Sequence, residues 1–267
     1  MRSAPIIGTH KTEGAIMHNE HYKHEYTEEF ASRWDDLIGW EGRQEGEAGF
    51  FEKLLEQHNC QRVADIATGT GYHAVTLALN TDLDVVATDG SANMIEQTKR
   101  NAKQHNADLE DIAVVDWREL ADHYGEESFD ALLCLGNAFS HLFEHEARVE
   151  ALEAMFKALR PGGILVLDHR NYDRILDEGF STKHEFYYTG DNVDARPVEI
   201  SPQVMRFEYT YPDKSKYHLN LFPLRYNYMV KTMKEAGFKD VESYGDFTKP
   251  YKTNEVDFIQ QVAIKAK

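Results

Sequence analysis

The hydrophobic positions of the chain fall into short apolar runs separated by stretches of helical period. Runs at 62–67, 83–88, 112–115, 129–135 and 164–168 read as buried strands, and the patterns at 72–80, 92–105 and 145–159 between them read as helices. Strands alternating with helices imply a parallel sheet covered on both faces. Ser91 suits the N-cap of the second helix, and Pro161-Gly162-Gly163 is expected to stop the third and turn the chain into the fifth strand. Upstream, Tyr22, Tyr26, Phe30, Trp34 and Leu37 recur at helical spacing and predict one amphipathic helix. A second helix, Phe50 to Gln57, leads into the first strand. Between them Gly39 to Gly46 is glycine-rich and is expected to be a bend or flexible link.

After Arg170 the pattern changes. Residues 180–222 read as short antiparallel strands, His184 to Tyr188, Val204 to Tyr211 and Tyr217 to Phe222, with Pro197, Pro202 and Pro212 at breaks. A helix from Tyr226 to Ala236, closed by Gly237, precedes two strands, Val241 to Phe247 and Val256 to Ile264. The fold expected is α/β: a parallel core ending in an antiparallel hairpin, with an N-terminal helical cap and an antiparallel β insertion. The expected domain plan has a flexible tail over 1–20, the cap over 21–60, a ligand-binding domain over 61–170 and 223–267, and the β-extension over 171–222.

A chain of 267 residues has room for this plan. Its 46 acidic residues against 29 basic ones give a formal charge of −17, which disfavours phosphate-backbone binding and an anionic membrane surface as the main activity. Cys60 and Cys134 lie far apart beside or inside apolar runs, with neither disulfide nor metal spacing. His141 and His145 are four apart, but no third ligand is evident, so no metal is expected. With neither a signal-peptide pattern nor an apolar run of spanning length, a soluble cytoplasmic protein is expected.

The ends of the strands carry the chemistry, because open α/β sheets bind ligands beyond the carboxyl ends of their strands. Val63-Ala64-Asp65-Ile66-Ala67 runs into Thr68-Gly69-Thr70-Gly71, and the second strand ends on Asp89. Strand, glycine turn, helix, strand and acidic tip form the layout of an adenosine-binding βαβ unit. The glycines let backbone approach the ligand, and the carboxylate accepts from ribose hydroxyls. No third glycine follows, since Tyr72-His73-Ala74 stands there, which disfavours a dinucleotide and hence a nicotinamide-dependent oxidoreductase. Asp116-Trp117 at the third tip offers a polar edge and a broad ring to an adenine.

The stretches Asp65-x-Ala67-Thr68-Gly69-Thr70-Gly71, Asp89-Gly90-Ser91, Asp116-Trp117-Arg118, Leu135-Gly136-Asn137-Ala138-Phe139-Ser140-His141-Leu142 and Asp168-His169-Arg170-Asn171-Tyr172-Asp173 resemble those of class I S-adenosylmethionine-dependent methyltransferases. Within that class they are most similar to the glycine N-methyltransferase group, above all to glycine/sarcosine N-methyltransferases of the betaine-forming route. The likeness runs from about Tyr22 to the C-terminus and includes Trp34-Asp35-Asp36-Leu37-Ile38, Asn220-Leu221-Phe222-Pro223-Leu224-Arg225 and Tyr244-Gly245-Asp246-Phe247. It implies a Rossmann-like sheet and S-adenosylmethionine as methyl donor, with S-adenosylhomocysteine as product. It also implies that Tyr26, Trp34 and Arg43 fold over the donor, with Arg43 meeting its carboxylate. Ala67, Asp89, Met94, Asp116, Trp117 and Leu135 would hold the rest. The chain departs from the family at Gln44-Glu45-Gly46, where Ser-Glu-Gly is usual, at Ala138, where serine is, and at Ser140, where threonine is. The loss at Ala138 bears on acceptor preference.

A small amino-acid acceptor presents a carboxylate that a guanidinium recognises bidentately. Arg170, just past the fifth strand, is placed for that role, and Asn137, past the fourth, can contact amine or carboxylate. The resemblance points to both and adds Tyr209 from the β-extension. No residue stands out as a general base; water, a tyrosine hydroxyl and His141 are the candidates. The activity implied is methylation of glycine to sarcosine and of sarcosine to dimethylglycine. The alternatives are a glycine-only enzyme that sets the ratio of donor to product, and a cofactor-sensing module with a dead acceptor site. The sequence does not fix an oligomeric state.

Overall fold

The computed structural model describes residues 21–181, 192–247, 251 and 256–267. The expected tail over 1–20 and the strand His184–Tyr188 lie outside the described residues. The N-terminal stripe expected as one helix is broken into α1 (His21–Glu25), α2 (Glu28–Ser32) and α3 (Trp34–Ile38). Thr27 caps the second of these, its hydroxyl accepting from Phe30 N at 3.2 Å, and Arg33 is the shared joint between the second and third. The breaks let Tyr26, Phe30 and Trp34 crowd together, with Tyr26 and Trp34 ring centroids 5.2 Å apart. The stretch expected as a link is instead helix α4 (Trp40–Glu47), preceded by Gly39 in the left-handed region at φ 56°. Gly42 and Gly46 weaken a helix by up to ~1 kcal/mol each, but tertiary contacts hold this one. Trp40 stacks on His105 with centroids 4.9 Å apart, and Arg43 pairs with Glu47 one turn on. Ala48 and Gly49, both left-handed, turn the chain into α5 (Phe50–Gln57).

The central runs form β1 (Arg62–Asp65), α6 (Tyr72–Asn80), β2 (Asp84–Asp89), α7 (Ala92–His105), β3 (Asp111–Val114), α8 (Leu120–Tyr124), β4 (Phe129–Cys134), α9 (His145–Ala158) and β5 (Leu159–Arg170). The fifth strand starts five residues earlier than expected. Leu159 already pairs with Phe129, and Ile164 then pairs with Ala131, so Pro161-Gly162-Gly163 lies in a bulge within the strand. Downstream come α10 (Tyr172–Glu178), β6 (Asp194–Ile200), β7 (Met205–Thr210), β8 (Lys216–Leu221), α11 (Tyr226–Glu235), β9 (Asp240–Gly245) and β10 (Phe258–Ile264).

The main sheet has seven strands in the order β3-β2-β1-β4-β5-β10-β9. Its first five are parallel, and β10 runs antiparallel to both neighbours. A separate antiparallel sheet, β6-β7-β8, forms the extension, and Pro197 sits inside β6 at a register shift rather than ending it. Strand alternation divides the core. Leu165 and Leu167 face a layer with Phe30, Leu37, α9, α11 and the extension, whereas Ile164 and Val166 face α5 and α6. Strand order reverses between β1 and β4, which opens a crevice at their carboxyl ends, and cap and extension meet above it. Among the described residues no helix is long and apolar enough to cross a membrane.

Candidate active site

The crevice is a cleft of about 1210 Å³, counted to its open mouth. Its floor is the turn after β1. Gly69 and Gly71 have φ of 56° and 93°, values that favour glycine. A Cβ on Gly71 would lie 2.9 Å from Thr98 Cγ2, and one on Gly69 would lie 3.6 Å from Trp34 Nε1. Asp89 anchors the turn from the tip of β2, accepting from Gly69 N at 2.9 Å and Ser91 N at 2.8 Å. Each of its oxygens keeps a lone pair for further donors. Burial pushes this carboxyl up to about 7, against the two backbone hydrogen bonds, with Asp65 adding to the rise.

At the third tip, burial raises the Asp116 carboxyl, but a two-pronged bond from Arg118 outweighs it and the group stays below the usual range. Trp117 donates to Ile66 O at 2.6 Å, which fixes its indole beside Phe139, with centroids 5.8 Å apart. Ala67, Met94, Trp117 and Leu135 line this part of the cleft.

The cap closes the other wall. Tyr22, Tyr26, Trp34 and Arg43 all reach the cleft. The Arg43 guanidinium is buried, bonds Glu47 Oε1 through Nε at 3.0 Å, and approaches the tip of β4, where a Cβ on Gly136 would lie 4.0 Å from its Nη2. Glu47 also meets His73 at 2.9 Å. Burial opposes ionisation of Glu47, but His73 and Arg43 hold its carboxyl below the usual range. A charged arginine thus faces the cleft with a fixed partner behind it.

The far end of the cleft is built from β4, β5 and β7. Asn137, left-handed at φ 62°, donates its backbone N–H to Asp168 Oδ1 at 2.7 Å. Its amide bonds the Tyr172 hydroxyl at 2.9 Å through Nδ2 and accepts Arg170 N at 3.1 Å through Oδ1. Asn137 therefore locks two strand tips together. The Arg170 guanidinium is buried over Phe207 at 4.5 Å and Phe258 at 5.2 Å. Burial pushes the Tyr209 hydroxyl up to about 12, although Arg170 beside it works the other way, so the group is a neutral donor at pH 7. Tyr26 and His141 Nε2 share a hydrogen bond of 3.0 Å, and burial pushes His141 down to about 4. His145 turns elsewhere, to the Tyr228 hydroxyl at 2.8 Å.

All twelve residues singled out in the sequence line this one cleft: Tyr26, Trp34, Arg43, Ala67, Asp89, Met94, Asp116, Trp117, Leu135, Asn137, Arg170 and Tyr209. Sequence reasoning missed the groups that hold them, above all Glu47 and His73 behind Arg43, Tyr172 behind Asn137 and Arg118 on Asp116. Tyr172 stood in the Asp168–Asp173 stretch; Glu47 carried no signal beyond its spacing of four from Arg43.

A switch-point cleft with a glycine turn, an acidic second tip and a capping segment is the layout of a nucleoside-binding α/β fold. A family model described as "Methyltransferase domain" matches residues 63–163. An S-adenosylmethionine-dependent methyltransferase from Clostridium acetobutylicum ATCC 824 shares the fold with a TM-score of 0.70 at 16% identity, covering 90% of this chain and 98% of that one. The CcbJ methyltransferase from Streptomyces caelestis does so at 0.68 and 17%, covering 91% and 98%. Sequence relatives narrow the class. The glycine/sarcosine N-methyltransferase of Aphanothece halophytica is 44% identical over 250 residues, 94% of this chain and 93% of that protein. That of Halorhodospira halochloris is 41% identical over 251 residues, 94% and 92%. Human glycine N-methyltransferase is 32% identical over 231 residues, 74% and 77%. The chain belongs to the glycine/sarcosine N-methyltransferase family.

Proposed function

We propose that this protein methylates the amine nitrogen of glycine to give sarcosine, and of sarcosine to give N,N-dimethylglycine. The observation that carries the reading is the buried Arg170 guanidinium beside Tyr209, in the same cleft as the glycine turn and Asp89. S-adenosylmethionine, when bound, supplies an electrophilic methyl on a sulfonium and leaves as S-adenosylhomocysteine. The cleft fits that group. Asp89 retains acceptor capacity for ribose hydroxyls, Met94, Leu135 and Trp117 give an apolar bed for adenine, and Arg43 supplies a cation for the donor's carboxylate.

Arg170 takes the acceptor's carboxylate in a two-pronged bond, as a planar guanidinium does best. Asn137 holds Arg170 through its backbone and keeps the tips of β4 and β5 in register. Tyr209 adds a neutral hydroxyl next to the guanidinium. The acceptor's ammonium first gives up a proton to water, which frees the lone pair. That lone pair would attack the donor's methyl carbon in line, the electrons of the broken carbon–sulfur bond going to sulfur, and the methylated amine would leave as an ammonium. Burial pushes His141 down to about 4, so its imidazole is neutral at pH 7. Orientation and exclusion of water supply most of the acceleration. The reading includes a cytoplasmic location and no nucleic-acid or membrane partner; 46 acidic against 29 basic residues support the second point.

The test is incubation with methyl-labelled S-adenosylmethionine and glycine, sarcosine or dimethylglycine, followed by mass spectrometry. Labelled sarcosine and dimethylglycine are expected from the first two. Turnover of glycine alone would favour the glycine-only alternative, and labelling of neither would overturn the reading.

A further inference from the structure

Asp35 lies in α3, next to Trp34 and outside the ring of residues that line the cleft, yet it is the acceptor of three side-chain hydrogen bonds from three parts of the chain. Its Oδ1 accepts from the Thr70 hydroxyl at 2.5 Å and from Trp40 Nε1 at 2.9 Å. Its Oδ2 accepts from Asn101 Nδ2 at 2.7 Å. Thr70 is the middle residue of the glycine turn and is buried between the two left-handed glycines. Asn101, on α7, spends its other amide hydrogen on Thr70 O at 2.9 Å. From the same helix Thr98 donates to Gly69 O at 2.8 Å. The turn is therefore gripped on one side by α7 and on the other by a single carboxylate of the cap.

We propose that Asp35 is a positioning residue for methyl-donor binding, which makes docking of the cap and the conformation of the glycine turn one event. The inference rests on the reading of this cleft as an S-adenosylmethionine site. A turn between two glycines has many backbone states to lose, and a ligand that needs one of them binds more weakly when the others are open. Asp35 removes the others through Thr70, and through Trp40 it fixes the cap segment that carries Trp34 and Arg43 to the cleft. Only a carboxylate suits the position, because all three partners are donors. Asparagine would turn an NH2 group toward one of them and leave a donor facing a donor.

The experiment is calorimetric titration of the full-length protein with S-adenosylhomocysteine, alongside steady-state kinetics with glycine. The wild type is expected to bind; its failure to bind would overturn both the reading of the site and the inference. Asp35→Asn is expected to weaken binding by about tenfold or more, the scale of a lost bond to a charged group. The KM for S-adenosylmethionine should rise in parallel, while kcat at saturation falls by less than about threefold. Asp36→Asn, an equal change of charge on the neighbouring exposed residue, should change binding by less than about twofold. Thr70→Val should weaken binding as Asp35→Asn does, Thr70→Ser should restore it, and the double variant Asp35→Asn/Thr70→Val should be no weaker than the worse single one. Asp35→Asn that lowers the melting temperature but keeps wild-type affinity would overturn the proposal, as would additive losses in the double variant. Where Asp35→Asn loses its cooperative melt, the Thr70 pair decides: equal affinity of the Val and Ser variants overturns it.

Discussion

Arg170 and Asp89 line opposite parts of the cleft, and on the proposed reading each answers to a different end of the reaction. The Arg170 guanidinium lies over Phe207 at 4.5 Å, where a planar delocalised cation can stack flat on the ring while its edge stays free for a carboxylate, as a compact ammonium cannot. Arg170→Lys is therefore expected to raise the KM for glycine by about tenfold to a hundredfold, losing both the stacking and the two-pronged bond. Affinity for S-adenosylhomocysteine should stay within about twofold by calorimetry, since donor and acceptor ends are separate groups. Lost donor binding in that variant would sink the assignment of Arg170 to the acceptor. Asp89 gives a pH dependence of definite sign. Burial pushes its carboxyl up to about 7 in the free protein, and on the proposed reading ribose hydroxyls would donate to it and favour the ionised form. Donor binding should thus release a proton near pH 7, and affinity should rise as pH increases from about 6 to about 8. Calorimetry in two buffers of different ionisation enthalpy measures that proton, and Asp89→Asn should abolish the dependence. In the absence of ligand the same raised value works against folding. It makes this group's contribution most favourable at acid pH and lost as pH climbs from the ordinary carboxylate range to about 7.

Among the elements, those of the parallel core were legible because buried strands leave continuous apolar runs and their helices a clean period. The breaks were less so. Pro161-Gly162-Gly163 reads as a stop, yet β5 continues through it, because a bulge uses the same residues as a turn. A Cβ on Gly163 would lie 2.9 Å from both Arg160 O and Asp130 O, and neither backbone oxygen can step aside cheaply. Gly163→Ala is therefore expected to cost about 2 kcal/mol in chemical denaturation, with little change in KM for either substrate. The α4 helix is hidden in the sequence for the opposite reason. Its glycines argue against a helix, and what overrides them, Trp40 on His105 and Arg43 on Glu47, is tertiary and leaves no local trace. The same limit applies within the cleft. Gly69, Gly71, Asp89 and Arg170 announce themselves by position at strand ends, whereas Tyr209 lies in a strand rich in aromatics. Only the family likeness, and then the fold that brings β7 over the cleft, sets it apart.

At the scale of the whole molecule, cap and extension meet above the cleft through contacts of quite different strength. Phe30 stacks on Tyr217 with centroids 4.5 Å apart, the Tyr211 hydroxyl donates to Arg33 O at 2.9 Å, and Asn220 donates to Glu25 from both backbone and side chain. Beside these, Arg33 and Asp213 form a solvent-exposed ion pair at 2.8 Å. Salt acts on this assembly in two directions. It screens the exposed pair, which weakens a contact of the kind that contributes little to stability. It also screens the mutual repulsion of a chain with a formal charge of −17, which opposes compaction. The second effect involves many more charges, so it should win. The melting temperature is expected to rise by a few degrees between about 0.05 and about 0.5 M sodium chloride. Asp213→Asn removes both the exposed pair and one unit of the repulsion, so its melting temperature should fall by less than about 2 °C at low salt. The difference from wild type should shrink further at high salt. Differential scanning calorimetry of the two proteins across that range checks both signs, and a melting temperature that falls with salt would show local ion pairs outweighing the collective charge.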